Sequence, residues 1–156
     1  MNITEMITIN TVEFNLNLKT QKEVLEKITD ILFKDNRIIN KEETLKGYID
    51  RESECTTGIG FGLAIPHCKV ESVIEPTIVC LKLNEAVDWN SLDEEPVNII
   101  VGLAIPKKYE GTLHLEILGR LASNLMEDDF KYSLFNINDK NKLVAFLQEN
   151  LSKEEE

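Results

Sequence analysis

Polar and apolar residues alternate with a period of two in several segments of the chain, and this pattern predicts β-strands. The clearest alternation places Val12, Phe14 and Leu16 on one side of a first strand. The last predicted strand is almost continuously apolar, which is typical of a strand buried on both faces of a sheet. The four predicted strands are Thr11–Leu16, Leu63–Ile65, Thr77–Leu83 and Val97–Ala104. We expect Pro66 to end the pairing of the second one, because proline has no N–H to donate.

Apolar residues spaced three and four apart predict helices between these strands. The predicted helical segments are Thr20–Asn36, Asn40–Arg51, Thr112–Met126, Phe130–Leu134 and Asp139–Asn150. Thr20 with Glu23 and Asn40 with Glu43 have the spacing of N-terminal caps, and Thr112 is placed to cap the third helix. The residues expected to face inward are Leu45, Tyr48 and Ile49 in the second helix and Leu115, Leu118, Leu121, Ala122, Leu125 and Met126 in the third.

Strands that alternate with helices indicate an α/β fold. A length of 156 residues suits a single domain over residues 1–156, and neither a repeat nor a linker divides the chain. We expect a loop from Pro106 to Gly111 and a disordered acidic tail over residues 152–156. The segment from Glu85 to Pro96 is a polar connection that holds the only tryptophan, Trp89.

The charge and cysteine content narrow the possible functions. A formal net charge of −11 argues against a nucleic-acid partner, because phosphate backbones attract surfaces rich in Lys and Arg, and it suits docking to a basic protein surface. The three cysteines, Cys55, Cys68 and Cys80, lack C-x-x-C spacing, which favours reduced thiols. No apolar run is long enough to cross a bilayer, and no signal peptide is recognisable. We therefore expect a cytoplasmic protein.

The stretch Thr56–His67, T-T-G-I-G-F-G-L-A-I-P-H, concentrates the unusual residues of the chain. Its three glycines allow positive φ and the close approach of another group, so we expect a glycine-rich loop. No Gly-Lys-Ser/Thr follows, as a Walker loop requires, and no helix opens as in a dinucleotide motif. We expect His67 to be at least partly exposed where a strand leaves the sheet, and its neutral ring is a good nucleophile there. On residue types alone, an incidental histidine beside a buried strand explains the stretch equally well.

The run G-I-G-F-G-L-A-I-P-H, residues 58–67, closely resembles the active-site signature of the fructose/mannitol-type enzyme IIA domains of the bacterial phosphotransferase system. In that family the matching histidine, here His67, accepts a phosphoryl group from the histidine phosphocarrier protein HPr and passes it to a cysteine of enzyme IIB. The resemblance covers nearly the whole chain and implies a mixed, mostly parallel sheet flanked by helices on both faces, with no cofactor and no metal. Phe61 and Cys68 depart from the usual pattern. The segment Val87–Val97 is most similar to the fructose-type branch.

Two further residues match family positions near that histidine, and a third lies next to the glycine-rich stretch. His114, in the stretch H-L-E-I-L-G-R-L, has the implied role of donating a hydrogen bond to the phosphoryl oxygens or of positioning the nucleophilic ring. Arg51 matches an arginine near the phosphohistidine, where a planar guanidinium suits phosphate oxygens. Thr57 is a candidate for a further hydroxyl hydrogen bond to the phosphoryl group. From the residues alone, His114 is a core histidine on an apolar helical face, and Arg51 is a solvated arginine paired with Glu52 or Glu54.

Other functions stay open beside sugar uptake. Nitrogen-type relatives share the signature and regulate other proteins according to their phosphorylation state. A chain that no longer accepts phosphate would be a pure interaction module, although the presence of both histidines argues against that. The sugar is bound by the membrane enzyme IIC, an indirect partner, so this chain does not name it. A free-standing chain of this length also implies that enzyme IIB is a separate polypeptide.

The cysteines and histidines suggest two further kinds of site that we do not favour. Their spacings match no known zinc pattern. Cys68 directly follows His67, and adjacent residues of a strand point to opposite faces, so a Cys/His nucleophile pair is not expected.

Overall fold

In the computed structural model, which describes residues 3–109 and 112–152, six strands form one mixed sheet. The strands are β1 (Val12–Leu16), β2 (Gly58–Gly60), β3 (Leu63–Ala64), β4 (His67–Val70), β5 (Thr77–Val87) and β6 (Val97–Pro106). Their order is β1-β5-β6-β3-β2, and β4 also pairs with β6. The pairings of β1 with β5, β3 with β6 and β4 with β6 are parallel, and the other two are antiparallel. The predicted mixed, mostly parallel sheet is confirmed.

Helices cover both faces of this sheet. They are α1 (Ile3–Met6), α2 (Gln21–Lys34), α3 (Lys41–Glu54), α4 (Leu113–Leu125), α5 (Asp128–Asn136) and α6 (Lys140–Ser152). Helices α2 and α3 pack on one face, which we call the α3 face, and the other four pack on the opposite face, the α4 face. Ile78 and Cys80 of β5 point to the α4 face, whereas Val79 and Leu81 point to the α3 face. Burial on both sides explains the continuous apolar runs of β5 and β6.

Two of the three predicted helix caps are present. The Thr20 hydroxyl accepts the N–H of Glu23, and the Asn40 side chain accepts the N–H of Glu43. Thr112 makes no capping hydrogen bond, so that prediction is wrong. Helix α3 also continues one turn past Arg51 to Glu54, which places Arg51 in its last turn.

The first strand carries a bulge that the alternation pattern did not reveal. Asn15 has a φ of 57°, in the left-handed region, and the register with β5 shifts between Glu13 and Leu16. An extra residue of this kind reverses the face of everything that follows. Val12 and Phe14 therefore pack on the α4 face, but Leu16 packs on the α3 face, contrary to prediction.

The buried stripes of two helices also differ from prediction. Ile49 of α3 is exposed, whereas Tyr48 is fully buried. On α4 the predicted inward residues Leu115, Ala122 and Met126 are exposed. The buried residues of α4 are His114, Ile117, Leu121 and Leu125. This stripe is rotated about one residue from the predicted one, because a leucine-rich helix offers two apolar stripes and only the packing against the sheet selects between them.

Some short elements replace predicted loops. The predicted loop from Pro106 contains the end of β6 and a 3-10 turn at Lys107–Tyr109, and the rest of it, residues 110 and 111, lies outside the described residues. Ser152, the first residue of the predicted disordered tail, is instead the last residue of α6, and the rest of that tail, residues 153–156, lies outside the described residues. Among the helices of the described ranges, none combines the length and the hydropathy that crossing a bilayer requires.

Candidate active site

The glycine-rich stretch forms a tight β-hairpin rather than the predicted loop. Strands β2 and β3 pair antiparallel, with Gly60 opposite Leu63. The two residues between them, Phe61 and Gly62, have φ values of 59° and 77°, which is the pattern of a type I′ turn. The N–H of Phe61 donates to Asp93 Oδ2 at 3.0 Å, which fixes the turn to the segment after β5.

The glycine at the start of the hairpin allows close packing. A Cβ atom on Gly58 would lie 2.4 Å from Ser91 Oγ and 3.0 Å from Trp89 Cδ1, so no larger residue fits. Trp89, predicted only as part of a polar connection, is 1% exposed beneath the hairpin. The glycine therefore serves the packing of this connection.

Backbone pairing resumes immediately after Pro66, contrary to the prediction. Strand β3 pairs with β6 at Ile99 and Ile100, and the carbonyl of Pro66 accepts the N–H of Leu103 at 2.9 Å. Strand β4 then pairs with β6 from His67 onward. The missing proline N–H thus interrupts the ladder for a short stretch but does not end it. His67 becomes the first residue of a strand whose partner is the most buried strand of the sheet.

Hydrogen bonds fix the tautomer of His67. Its Nδ1 lies 3.0 Å from the carbonyl oxygen of Ile65, which can only accept, so Nδ1 carries the proton. The lone pair is then on Nε2, which accepts the N–H of Arg51 Nε at 3.0 Å. Burial lowers the pKa of His67, and the positive charges of Arg51 and Lys69 lower it further. The ring is therefore neutral near pH 7 and holds its lone pair on Nε2.

His67 is less accessible than predicted. It is 6% exposed, so the expectation of a partly exposed side chain is wrong. Arg51 lies against one ring nitrogen, and the ring of His114 lies beside it. Arg51 is held in turn by the carbonyl of Cys55, which accepts from Nη1 at 2.8 Å. Helix α3 thus presents Arg51 to His67 from its last turn.

His114 forms a pair with His67. The two ring centroids are 5.2 Å apart at an interplanar angle of 40°. His114 is 9% exposed, and within residues 3–109 and 112–152 neither of its ring nitrogens has a hydrogen-bond partner. Burial lowers its pKa to about 4, helped by the positive charge of Lys69, by repulsion from the His67 ring when that ring is also protonated, and by the positive charge of Arg51. A buried polar ring without partners costs stability, which is typical of a group whose partner is a ligand.

Thr57 is hydrogen-bonded to Glu52 and Trp89 rather than directed at the histidines. Its hydroxyl donates to Glu52 Oε1, its N–H donates to Glu52 Oε2 at 3.0 Å, and it accepts the indole N–H of Trp89 at 3.2 Å. A hydroxyl has one proton to donate, so this geometry does not support the predicted hydrogen bond from Thr57 to a phosphoryl group. Thr57 instead ties the end of α3 to the hairpin and the Trp89 connection.

Cys68 does not join the histidines. A Cβ atom on Gly47 of α3 would lie 3.3 Å from Cys68 Cβ, so Cys68 points to the α3 face. Burial raises its pKa to about 12, which keeps it as an unreactive thiol. In the part of the chain that the structure describes, no cluster of three or more His, Cys, Asp or Glu side chains could hold a metal ion.

Sequence reasoning missed Lys69. It lies two residues beyond His67 on β4, and its charge lowers the pKa of both histidines. The spacing of His67 and Lys69 could have indicated this, because residues i and i+2 of a strand lie on the same face.

Comparisons with known proteins show the family to which the chain belongs. The family model for the phosphoenolpyruvate-dependent sugar phosphotransferase system, EIIA 2, matches residues 5–150. A fructose-specific EIIABC component of Bacillus subtilis is 31% identical over 149 residues, which cover 96% of this chain but 23% of that protein. A fructose-specific EIIA component of Haloferax volcanii is 29% identical and covers 96% of this chain and 98% of that protein.

Solved structures are similar over most of the chain. The nitrogen regulatory protein IIA-Ntr of Neisseria meningitidis superimposes with a TM-score of 0.85 at 25% identity, covering 93% of this chain and 98% of that one. The mannitol enzyme IIA of Escherichia coli, solved in complex with phosphorylated enzyme IIB, has a TM-score of 0.74 at 17% identity and covers 90% of this chain and 96% of that one. The latter likeness concerns the fold alone.

Proposed function

Because the chain belongs to the EIIA 2 family of the phosphoenolpyruvate-dependent sugar phosphotransferase system, whose members transfer phosphoryl groups through a phosphohistidine, we propose that His67 is its phosphoryl carrier. The donor in this proposal is the phosphocarrier protein HPr, and the acceptor is a cysteine of an enzyme IIB that supports sugar uptake through enzyme IIC. The solved IIA–IIB complex supports an enzyme IIB as partner. Carriers of this kind meet their partners in the cytoplasm, where we propose that this chain works.

The observation that carries the proposal is the state of His67 Nε2. Nδ1 is protonated and bonded to Ile65, so the only lone pair in the ring plane is on Nε2. Burial and neighbouring positive charge keep the ring neutral, which a nucleophile requires. We therefore propose Nε2 as the atom that becomes phosphorylated.

Transfer would proceed in line between two nitrogens. The Nε2 lone pair forms a bond to phosphorus while the N–P bond of the donor phosphohistidine breaks and its electron pair returns to the donor nitrogen. The transition state is loose, so the protein contributes mainly positioning and charge stabilisation of the equatorial oxygens.

Arg51 and His114 are proposed to hold the transferred group. Arg51 Nε loses its acceptor when Nε2 bonds to phosphorus, and a phosphoryl oxygen on that nitrogen is the natural replacement. His114 has an N–H without a partner, 5.2 Å from the His67 ring between centroids, and this N–H suits a second phosphoryl oxygen. A phosphoryl group would thus give His114 the partner that it lacks in the unphosphorylated site, and it would replace the acceptor that Arg51 loses on phosphorylation.

A regulatory role is the second candidate. It is favoured by the similarity to IIA-Ntr of Neisseria meningitidis, which has the TM-score of 0.85. Such a protein would carry the same phosphohistidine but act by binding other proteins according to its phosphorylation state. A test of phosphoryl transfer from the phosphorylated chain to a fructose-type enzyme IIB distinguishes the transport role from the regulatory role, because only the transport role requires this transfer.

The test is intact mass after incubation with phosphoenolpyruvate, enzyme I and HPr. The wild type should gain one acid-labile phosphate, and His67→Ala should gain none while keeping its circular dichroism spectrum. Heteronuclear NMR of the product should place phosphorus on Nε2. A His67→Ala protein that is phosphorylated at the wild-type rate, or phosphate found on Nδ1, would refute the assignment.

A further inference from the structure

Lys69 and His67 share one face of strand β4. Alternate residues of a strand point to the same side of the sheet. The residues between and beyond them, Cys68 and Val70, point to α3, because a Cβ atom on Gly47 would lie 3.3 Å from Cys68 Cβ and 2.7 Å from Val70 Cγ1. The side chain of Lys69 therefore leaves the strand on the α4 face, as that of His67 does.

The pairing with β6 leads to the same orientation. His67 is opposite Leu103 and Lys69 is opposite Ile105. Leu103 and Ile105 both belong to the core on the α4 face, whereas Ala104 between them belongs to the core on the α3 face. Paired residues of neighbouring strands share a face. The packing of β4 against α3 and its register with β6 therefore both place the side chain of Lys69 on the α4 face.

The ammonium group of Lys69 can reach the two histidine rings, and its charge affects both of them. Two strand residues span about 6.6 Å, and the flexible four-carbon stem of a lysine can cover that length. The positive charge of Lys69 lowers the pKa of His67 and is the largest charge effect on the pKa of His114. Both rings, whose centroids are 5.2 Å apart, therefore lie within the field of this ammonium group.

We propose that the ammonium group of Lys69 binds the phosphoryl group on His67, as a second cation beside Arg51. This rests on the proposed function. A transferred phosphoryl group carries about two negative charges, and Arg51 supplies one positive charge. His114 stays neutral near pH 7 and supplies none. The His67 ring, which keeps its Nδ1 proton, also becomes positive when Nε2 bonds to phosphorus, and Lys69 would add a second cationic side chain beside Arg51 at the phosphoryl oxygens.

The role is electrostatic throughout the transfer. The lone pair of His67 Nε2 forms the N–P bond as the donor's N–P bond breaks, and the phosphoryl oxygens keep their charges. Lys69 stays an ammonium group, exchanges no proton, and donates N–H hydrogen bonds to the oxygens. A charge-assisted contact of this kind contributes to the loose transition state and to the phosphorylated product alike.

The test compares Lys69→Met, Lys69→Arg and a control, Lys27→Met. Lys27 is a half-buried lysine paired with Glu13 at the β1 edge, so its loss changes the net charge equally and leaves the histidines untouched. Phosphoryl transfer from phosphorylated HPr should slow about 10- to 100-fold in Lys69→Met. Lys69→Arg should restore most of the rate because the cation remains, and Lys27→Met should match the wild type.

A second readout separates this role from a structural one. NMR titration of the unphosphorylated protein should show the pKa of both histidines rising in Lys69→Met but not in Lys27→Met. Equal rates in wild type and Lys69→Met, or equal losses in the two methionine variants, would overturn the role of Lys69 and leave the proposed function standing. A wild type that accepts no phosphate would overturn the proposed function and this inference with it.

Discussion

Phe61→Asn tests the backbone of the hairpin. Phe61 has a φ of 59°, and the left-handed region costs a residue with a side chain roughly 1–2 kcal/mol. Asparagine tolerates this region because its short polar side chain bonds to the local backbone, and Asn-Gly is the preferred pair for a type I′ turn. The substitution should therefore release strain while the turn keeps its shape.

The ring of Phe61 contributes a smaller, opposite effect. It is 67% exposed, so its removal loses little buried area. Lys131 Nζ lies 3.7 Å from the ring centroid, and an exposed cation–π contact contributes about 0.5–1 kcal/mol. Phe61→Ala loses the same contact but keeps most of the backbone strain. Phe61→Asn should thus exceed Phe61→Ala in unfolding free energy by about 1 kcal/mol.

Urea denaturation followed by far-UV circular dichroism measures this difference. The two variants should also differ by about 2–4 °C in thermal midpoint, as expected for a chain of this size. Lys131→Met provides the control, because it removes the cation and leaves the turn unchanged. If Phe61→Asn were no more stable than Phe61→Ala, the turn would store no relievable strain and the reasoning would fail.

Two further predictions concern buried polar groups. The pKa of His114, about 4, lies below its ordinary value of 6.5, so the unfolded chain binds the proton more tightly. The unfolding free energy should fall as pH drops from about 6.5 to about 4, and urea titrations across that range should show a shallower fall in His114→Asn. Thr57→Val should lower the unfolding free energy by about 1–3 kcal/mol, because Glu52 loses a donor and the Trp89 indole loses its acceptor. Thr57→Ser, which keeps the hydroxyl, should stay close to the wild type in the same assay.

Local signals in the sequence predicted most of the fold. The caps at Thr20 and Asn40 depend on groups three residues away, so short-range patterns suffice to find them. The bulge at Asn15 and the orientation of α4 depend on which neighbours each element meets. Neither is encoded in the periodicity of the element itself, which explains why Leu16 and Leu115 were assigned to the wrong faces.

The candidate site could not be predicted from local sequence patterns alone. The residues of the site come from three separate elements, and only the likeness to a known family suggested that Arg51 and His114 lie near His67. Burial of His67 depends on those two neighbours, so the chain around it predicted a more exposed ring. The role of Thr57 depends on Glu52 and Trp89, which the structure joins across 5 and 32 residues.

The hydrogen bond from Arg51 to His67 Nε2 also bears on chemical selectivity. A ring that is 6% exposed and whose lone pair is already engaged is a poor target for small acylating or alkylating reagents. An incoming anionic group would change this, because it would attract the guanidinium group and free the lone pair of His67 Nε2. In the proposed function, His67 is thereby shielded from adventitious modification at rest and becomes available through the charge of the phosphoryl group that it accepts.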